Sequence, residues 1–232
     1  MTHSNRFSIA LTTAATAFPV SLPEIKAHLG IGDSDETEDP SLMALLRAVT
    51  TSLEIYTRRT FVDTTFTLWM DRFPGKALPW WDGVRQMADT ELTDLTESIR
   101  IPLPPLDSIT HVKAHKQDGS TTTVTASDYI VDTASEPGRV ALTVSKTWPT
   151  DVLRAINGVE VQFVAGYGPT GSDVPAPIRQ AVLMMMGDIR ARPDGGDLKF
   201  EKVGESSVAR FDSSEVSAPV RQMLSAYKIW KF

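Results

Sequence analysis

The fold is decided within residues 40–73, which read PSLMALLRAVTTSLEIYTRRTFVDTTFTLWMDRF. In the first half, apolar side chains recur at the three- and four-residue spacing of one buried helix face. These side chains are Leu42, Leu45, Leu46, Val49, Leu53 and Tyr56. The second half, residues 61–73, is rich in β-branched and aromatic residues, which favour strands. The stretch therefore predicts a helix over residues 40–58 that is followed at once by a strand.

A second helix is predicted just upstream, over residues 21–30. Ser21 can cap its start, and Glu24 stands three residues later, as in a capping box. Gly30 permits the left-handed backbone that often ends a helix. Residues 1–18 form an N-terminal arm that we expect to be flexible or bound to a partner. A signal peptide is the less favoured alternative, because this arm carries little positive charge.

Downstream, short apolar runs separated by turn residues predict a block of antiparallel strands over residues 61–165, with a long insertion at 74–97. A third helix is predicted near 176–191, behind two prolines. Residues 193–232 are expected to form an extended C-terminal tail, which can include a short helix over residues 217–227. The predicted class is α+β, in which a β block interrupts a helical scaffold. One domain is expected to span residues 19–192.

Charge and residue usage narrow the function classes. The chain has 23 Lys and Arg against 29 Asp and Glu, a net charge of −6. This balance disfavours a protein that wraps nucleic acid by neutralising phosphates. The absence of cysteine excludes disulfides, thiolate metal sites and cysteine nucleophiles. No apolar run approaches the roughly 20 residues needed to cross a bilayer, so no membrane partner is expected.

The sequence shows no pattern typical of an active site. It lacks the G-x-S-x-G, H-E-x-x-H and Walker motifs. His111 and His115 share one strand face but stand about 13 Å apart along it, so they are predicted surface residues rather than ligands of one metal ion. Asp128 and Asp132 have the same spacing, about 13 Å, which exceeds the span of a glycan hydrolase pair. We therefore predict no enzyme activity, no catalytic residue, no metal and no cofactor.

Seven segments, in this order, carry a family resemblance. They are PVSLPEIKAHLGI (19–31), TLWMDRFPG (67–75), DTASEPGRVAL (132–142), the pair Trp148-Pro149, VEVQFVAGYG (159–168), DVPAPIRQAVLMMMGDI (173–189) and AYKIWKF (226–232). Together they resemble the head–tail connector, or adaptor, proteins of long-tailed bacteriophages and phage-like gene transfer agents. The resemblance spans nearly the whole chain, from about Pro19 to Phe232.

The resemblance implies a structural virion protein of the neck, assembled in the host cytoplasm. Copies of it, typically twelve, would form a ring on the portal vertex that joins the DNA-filled capsid to the tail. Its implied partners are the portal protein, neighbouring copies of itself, and a stopper or tail-terminator protein. Double-stranded DNA would pass through the lumen without specific binding. The alternatives are another tail-completion or stopper protein, a phage-borne glycan hydrolase, and a monomeric binding module.

Two segments are candidate contact sites. The resemblance implies that the C-terminal segment docks on the portal, where its aromatic side chains would act as anchors. This set consists of Tyr227, Lys228, Ile229, Trp230, Lys231 and Phe232. The loop GDSDETED is a candidate acidic element of the lumen or rim, through Asp33, Asp35, Glu36, Glu38 and Asp39. As alternatives, the C-terminal segment packs on the chain's own core, and the loop is a solvated turn whose last acids cap a helix.

Overall fold

The computed structural model describes residues 7–74, 98–191, 201–203, 206–208 and 216–229. It confirms the predicted α+β class, with helices and antiparallel sheets. The chain divides into two compact units. The described parts of residues 1–17, 58–169 and 229–232 form the β unit, and those of residues 18–57 and 170–228 form the helical unit. No helix among these residues is long and apolar enough to span a bilayer.

Among the described residues, the helical unit contains the three predicted helices and the short helix expected in the tail. They are α1 (Leu22–Leu29), α2 (Asp39–Thr57), α3 (Ala176–Arg190) and α4 (Ala218–Leu224). α4 and the 3₁₀ turn that follows it, Ser225–Tyr227, correspond to the short helix expected over residues 217–227 of the tail. α4 begins after Ser217 with Pro219 in its first turn. The same tail contains a short hairpin of β9 (Glu201–Val203) and β10 (Ser206–Val208).

The ends and faces of these helices follow the sequence signals. The backbone N–H of Ser21 donates to the Glu24 carboxylate at 2.8 Å, as in the predicted capping box, and the Ser21 hydroxyl donates to the same oxygen at 2.8 Å. α1 ends at Gly30, whose φ of 69° is left-handed. Along α2, the buried apolar side chains are Leu42, Leu46, Val49 and Leu53. The apolar periodicity of residues 40–58 therefore marks the face that α2 buries.

In the described residues, the β unit has eight strands in two sheets. They are β1 (Phe7–Thr13), β2 (Thr64–Met70), β3 (Ile99–Arg100), β4 (Leu106–His115), β5 (Thr121–Val124), β6 (Tyr129–Asp132), β7 (Arg139–Leu142) and β8 (Val159–Ala165). A five-stranded antiparallel sheet has the order β1-β2-β8-β4-β5, and a three-stranded sheet has the order β3-β7-β6. Leu68, Val112, Val161 and Phe163 from the larger sheet share one core with Ile99 and Val140.

Part of the predicted N-terminal arm is strand β1 of the larger sheet. Phe7 lies opposite Met70 of β2, and Leu11 lies opposite Phe66. Apolar residues alternate with small or polar ones in FSIALTT, which is the period of a strand, so the signal was present in the sequence. Residues 75–97 of the predicted insertion lie outside the described residues, and the predicted domain boundaries stay a prediction.

Candidate assembly surfaces

The segments that carry the resemblance pair with one another inside the β unit. Phe73 stacks on Trp148, with ring centroids 4.9 Å apart and ring planes inclined by 9°. Both side chains are buried in the core of the unit. Asp71 accepts a hydrogen bond from the backbone N–H of Asn157 at 3.0 Å and so holds the loop that precedes β8. These contacts position the strands of the β unit.

The DTASEPGRVAL segment is tied to the β unit by polar contacts. The hydroxyl of Ser135 and the guanidinium of Arg139 each donate to Asp132 at 2.7 Å. Ser135 first, and then Arg139, hold the pKa of Asp132 well below its ordinary value. Glu136 forms a bidentate pair with Arg59, at 2.6 and 2.5 Å. The segment is therefore explained by the turn that it builds, without a ligand.

In the helical unit, Arg179 joins two further segments of the resemblance. Its Nε donates to the backbone carbonyl of Pro19 at 3.1 Å, and its guanidinium pairs with Glu24. Glu24 is also the capping-box partner of Ser21, whose backbone N–H lowers the pKa of the Glu24 carboxyl. A Cβ on Gly171 would lie 2.4 Å from the backbone carbonyl of Phe18, which explains why a glycine stands there.

The acidic loop at residues 32–39 uses two of its five acids to hold helices together. Asp39 pairs with Lys26 of α1 at 2.7 Å, and the Lys26 side chain is only 5% exposed. Glu38 pairs with Arg190 of α3. The Lys26 ammonium also donates to the backbone carbonyl of Asp33 at 3.3 Å. These contacts give the last two acids of the loop a structural role within the helical unit.

The other acids of the loop differ in their surroundings. Asp35 accepts a hydrogen bond from the backbone N–H of Thr37 at 3.0 Å, and the Thr37 side chain and backbone lower the pKa of its carboxyl. Asp33 and Glu36 are exposed. The loop therefore presents Asp33 and Glu36 to solvent as its most available charges, while a lumen or rim role stays a prediction.

The C-terminal candidate set is described only in part. Tyr227 ends a 3₁₀ turn, Ser225–Tyr227, that continues from α4. The ammonium of Lys228 lies 4.1 Å from the ring centroid of Tyr56 on α2, which is a cation–π contact. Ile229 is half-buried. The remaining members, Trp230, Lys231 and Phe232, lie outside the described residues, so the portal-binding role of the set stays a prediction.

One polar cluster on the larger sheet was missed by the sequence reasoning. His111 Nε2 lies 2.8 Å from Oε1 of Glu160, and His115 Nε2 lies 2.6 Å from Oε2. Each Nε2–H donates to the ionised carboxylate. All three side chains are less than one-fifth exposed, so the prediction that both histidines are surface residues is wrong. β8 places Glu160 opposite Lys113, midway between the two histidines, and this pairing is invisible in the local sequence.

The surroundings of this cluster indicate a structural network. Burial by itself would raise the pKa of Glu160, but the hydrogen bonds from His111 and His115 outweigh it and lower that pKa. The Trp69 ring lies 5.3 Å from the ring of His115, and the Arg154 guanidinium lies 5.3 Å from Trp69. Within the described ranges, no group of three or more His, Cys, Asp or Glu side chains is placed to hold a metal ion.

The carboxylates weighed for a glycan hydrolase are engaged separately. Asp128 pairs with Lys146 at 2.8 Å, and Asp132 pairs with Arg139 at 2.7 Å. Each carboxylate has its own cation, and Asp132 has a lowered pKa, which is the opposite of what a general acid needs. The structure therefore gives these two residues no shared acid–base arrangement.

No protein-family model and no curated protein matches the chain. Solved structures do match it. A chain in the neck of an empty GTA (gene transfer agent) particle, computed with C6 symmetry, aligns with a TM-score of 0.67 over 97% of each chain. The present protein therefore has the fold of a gene transfer agent neck chain. A chain from the neck of the native particle, computed with C12 symmetry, gives 0.62 over 97% of each chain.

A third match has the same character. A chain in the virion of the native gene transfer agent particle gives a TM-score of 0.63, over 97% of this chain and 96% of that one. Sequence identity is 18% in all three cases. The resemblance read from the ordered segments is thus confirmed at the level of the fold.

Proposed function

We propose that this chain is a head–tail connector (adaptor) of a phage or phage-like gene transfer agent. In this role it is a structural protein of the virion neck, without a catalytic residue, metal or cofactor. The observation that supports the proposal is the fold shared with gene transfer agent neck chains over 97% of both chains. Those necks were computed with sixfold and twelvefold symmetry, and cyclic symmetry describes a closed ring of copies. We expect a ring of twelve copies on the portal vertex.

DNA is proposed to pass through the lumen of this ring without specific binding. The net charge of −6 suits that role, because like charge discourages adsorption of a polyanion. Asp33 and Glu36, which are exposed, are the acids proposed to face the lumen or rim. Asp35, Glu38 and Asp39 belong to the same proposed element, although their carboxylates also serve contacts within the helical unit.

The C-terminal segment, residues 226–232, is proposed to dock on the portal protein. Tyr227, Trp230 and Phe232 are the expected aromatic anchors, each contributing roughly 1–3 kcal/mol per copy. Binding by many copies in one ring multiplies such a contribution. The far face of the ring is proposed to meet a stopper or tail-terminator protein, which completes the connection to the tail.

The test is native mass spectrometry of the full chain mixed with the portal protein of the same genome. We expect twelve copies of this chain on one portal ring. A second sample carries Trp230→Ala and Phe232→Ala together, and its matched control carries Gln222→Ala and Met223→Ala, at exposed positions of α4 outside the docking set. The double variant should lose portal binding while its thermal melting stays that of the parent.

The outcomes separate the two parts of the proposal. If the parent chain never binds the portal, the connector role is contradicted. If the parent binds and the double variant binds equally well, the connector role stands and the docking role of the C-terminal segment is wrong. If the double variant melts at a much lower temperature than the control, the segment belongs to the chain's own core.

A further inference from the structure

Strand β1 carries a row of exposed apolar side chains at the edge of the larger sheet. Phe7, Ile9 and Leu11 are 39%, 37% and 60% exposed. Because side chains alternate along a strand, these three point to one face, and Ser8 and Ala10 point to the other. The row lies opposite Met70, Leu68 and Phe66 of β2. Met70 and Leu68 are fully buried. The row therefore continues their apolar face outward to the edge of the sheet, where its side chains are partly exposed.

The edge formed by β1 lacks the usual protection against pairing. Edge strands are normally shielded by charged side chains, by proline or by a bulge. Residues 7–17, FSIALTTAATA, contain neither a charge nor a proline. A register shift between Leu11 and Thr13 interrupts only the end of β1. Among the described residues, no strand pairs with the outer side of β1.

The opposite edge of the same sheet also lacks charged residues and prolines. It is formed by β5, within the segment STTTVTAS at residues 120–127, which also lacks charges and prolines. A closed ring joins one surface of each copy to a different surface of the next copy. A sheet with two uncharged edges offers two such surfaces on a single unit. A strand without cations, in contrast, has nothing with which to neutralise DNA phosphates.

We propose that the row Phe7, Ile9 and Leu11 on β1 is a contact between neighbouring copies of this chain. The inference rests on the proposed connector function, since the ring supplies the neighbouring copy. Burial of three large apolar side chains against that copy is the stabilising contribution. Ring closure repeats the contact at every interface, so a small change in one copy is multiplied around the ring.

The test compares two lysine pairs on the two faces of one strand. Ile9→Lys with Leu11→Lys places charge in the row, and Ser8→Lys with Ala10→Lys is the control with the same charge on the opposite face. Each full-length protein is titrated onto the portal protein of the same genome, and copies per portal are counted by native mass spectrometry. Sedimentation velocity of each isolated chain reports self-association without the portal.

The row variant should need about tenfold more protein to complete the ring, and should leave partial rings at the parent concentration. The control should behave like the parent. Complete rings at the parent concentration would overturn the proposal, as would an equal loss in the control. If the first copy of the row variant binds the portal more weakly than the first copy of the parent, the row contacts the portal, and this result would also overturn the proposal.

Two further measurements keep the result decisive. If the lysine pair lowers the melting temperature, Ile9→Thr with Leu11→Thr replaces it, because threonine retains the β-branched preference for strands. The same incomplete rings are expected. If the parent chain does not bind the portal, the connector function fails, and self-association of the isolated chain then decides the contact by itself. If the parent self-associates and the row variant does not, the contact is supported. If the row variant still self-associates, or if the parent does not self-associate, the contact is refuted.

Discussion

The acidic loop at residues 32–39 and strand β1 contrast in what the sequence suggests and what the structure shows. The loop is the most conspicuous charged stretch of the chain, yet Asp39 and Glu38 form ion pairs within the helical unit. Strand β1 has no charge at all, yet every one of its residues is exposed and three of them are large and apolar. The conspicuous charged residues form contacts within one unit, and the inconspicuous strand presents an exposed apolar row, the surface proposed for assembly.

The contrast has a physical basis. A charged group that is removed from water needs an opposite charge beside it, and the buried ammonium of Lys26 has the carboxylate of Asp39. An apolar side chain at a sheet edge needs no specific partner within the chain, and its burial stabilises whichever assembly covers it. Polar pairs inside a subunit should therefore control its stability, and the apolar row should control its association.

The largest expected effect is a loss of folding stability when Asp39 of the acidic loop is replaced. Asp39→Ala removes the acid beside the buried Lys26 ammonium and should lower the free energy of unfolding by about 2–3 kcal/mol. Asp33→Ala, which removes the same charge from an exposed position in the same loop, should change it by less than about 0.5 kcal/mol. Urea denaturation measures both. Equal losses in the two variants would contradict the structural role of Asp39.

A smaller, pH-dependent effect is expected at Glu160. Its folded pKa lies below the ordinary value of 4.5, so its carboxylate stabilises the fold above that pH, and the contribution is lost as the pH falls through the folded pKa. Glu160→Gln should therefore cost about 1–2 kcal/mol at pH 7 and less at pH 3. Asp107→Asn, at an exposed position of β4, is the control. Denaturation curves in which the Glu160 variant and its parent differ equally at both pH values would refute this assignment.

The smallest effect on stability is expected on β1. Ile9→Thr with Leu11→Thr shortens two side chains that are 37% and 60% exposed and should lower the free energy of unfolding by about 1 kcal/mol. The same protein should nevertheless form incomplete rings. Thermal melting monitored by circular dichroism checks the first statement. A large drop in melting temperature would show that the row belongs to the core of the subunit, and the contrast with the loop would then fail.

Local sequence patterns were sufficient to predict most helices and strands but not the contacts between them. The apolar period of residues 40–58 predicted α2, and Ser21, Glu24 and Gly30 predicted both ends of α1. Strand β1 was missed because a short alternation at a chain start competes with the expectation that termini fray. Attention to the period of two in FSIALTT would have found it.

The contacts of the charged residues depend on pairings between distant segments. Glu160 reaches His111 and His115 only because β8 lies beside β4, which no local pattern specifies. Likewise, the ion pair of Glu38 with Arg190 joins residues that are 152 positions apart, which no local pattern indicates. The family resemblance supplied what local patterns could not. Its segments contain Phe73, Trp148 and Arg179, which form the long-range contacts of each unit.

The most direct test of the connector role is a cryo-EM reconstruction of the portal vertex of particles that carry this chain. We expect twelve copies of the chain in a ring around the DNA channel, with residues 226–232 against the portal and Phe7, Ile9 and Leu11 against the neighbouring copy. A neck ring built from a different protein, with this chain elsewhere in the particle or absent from it, would contradict the account.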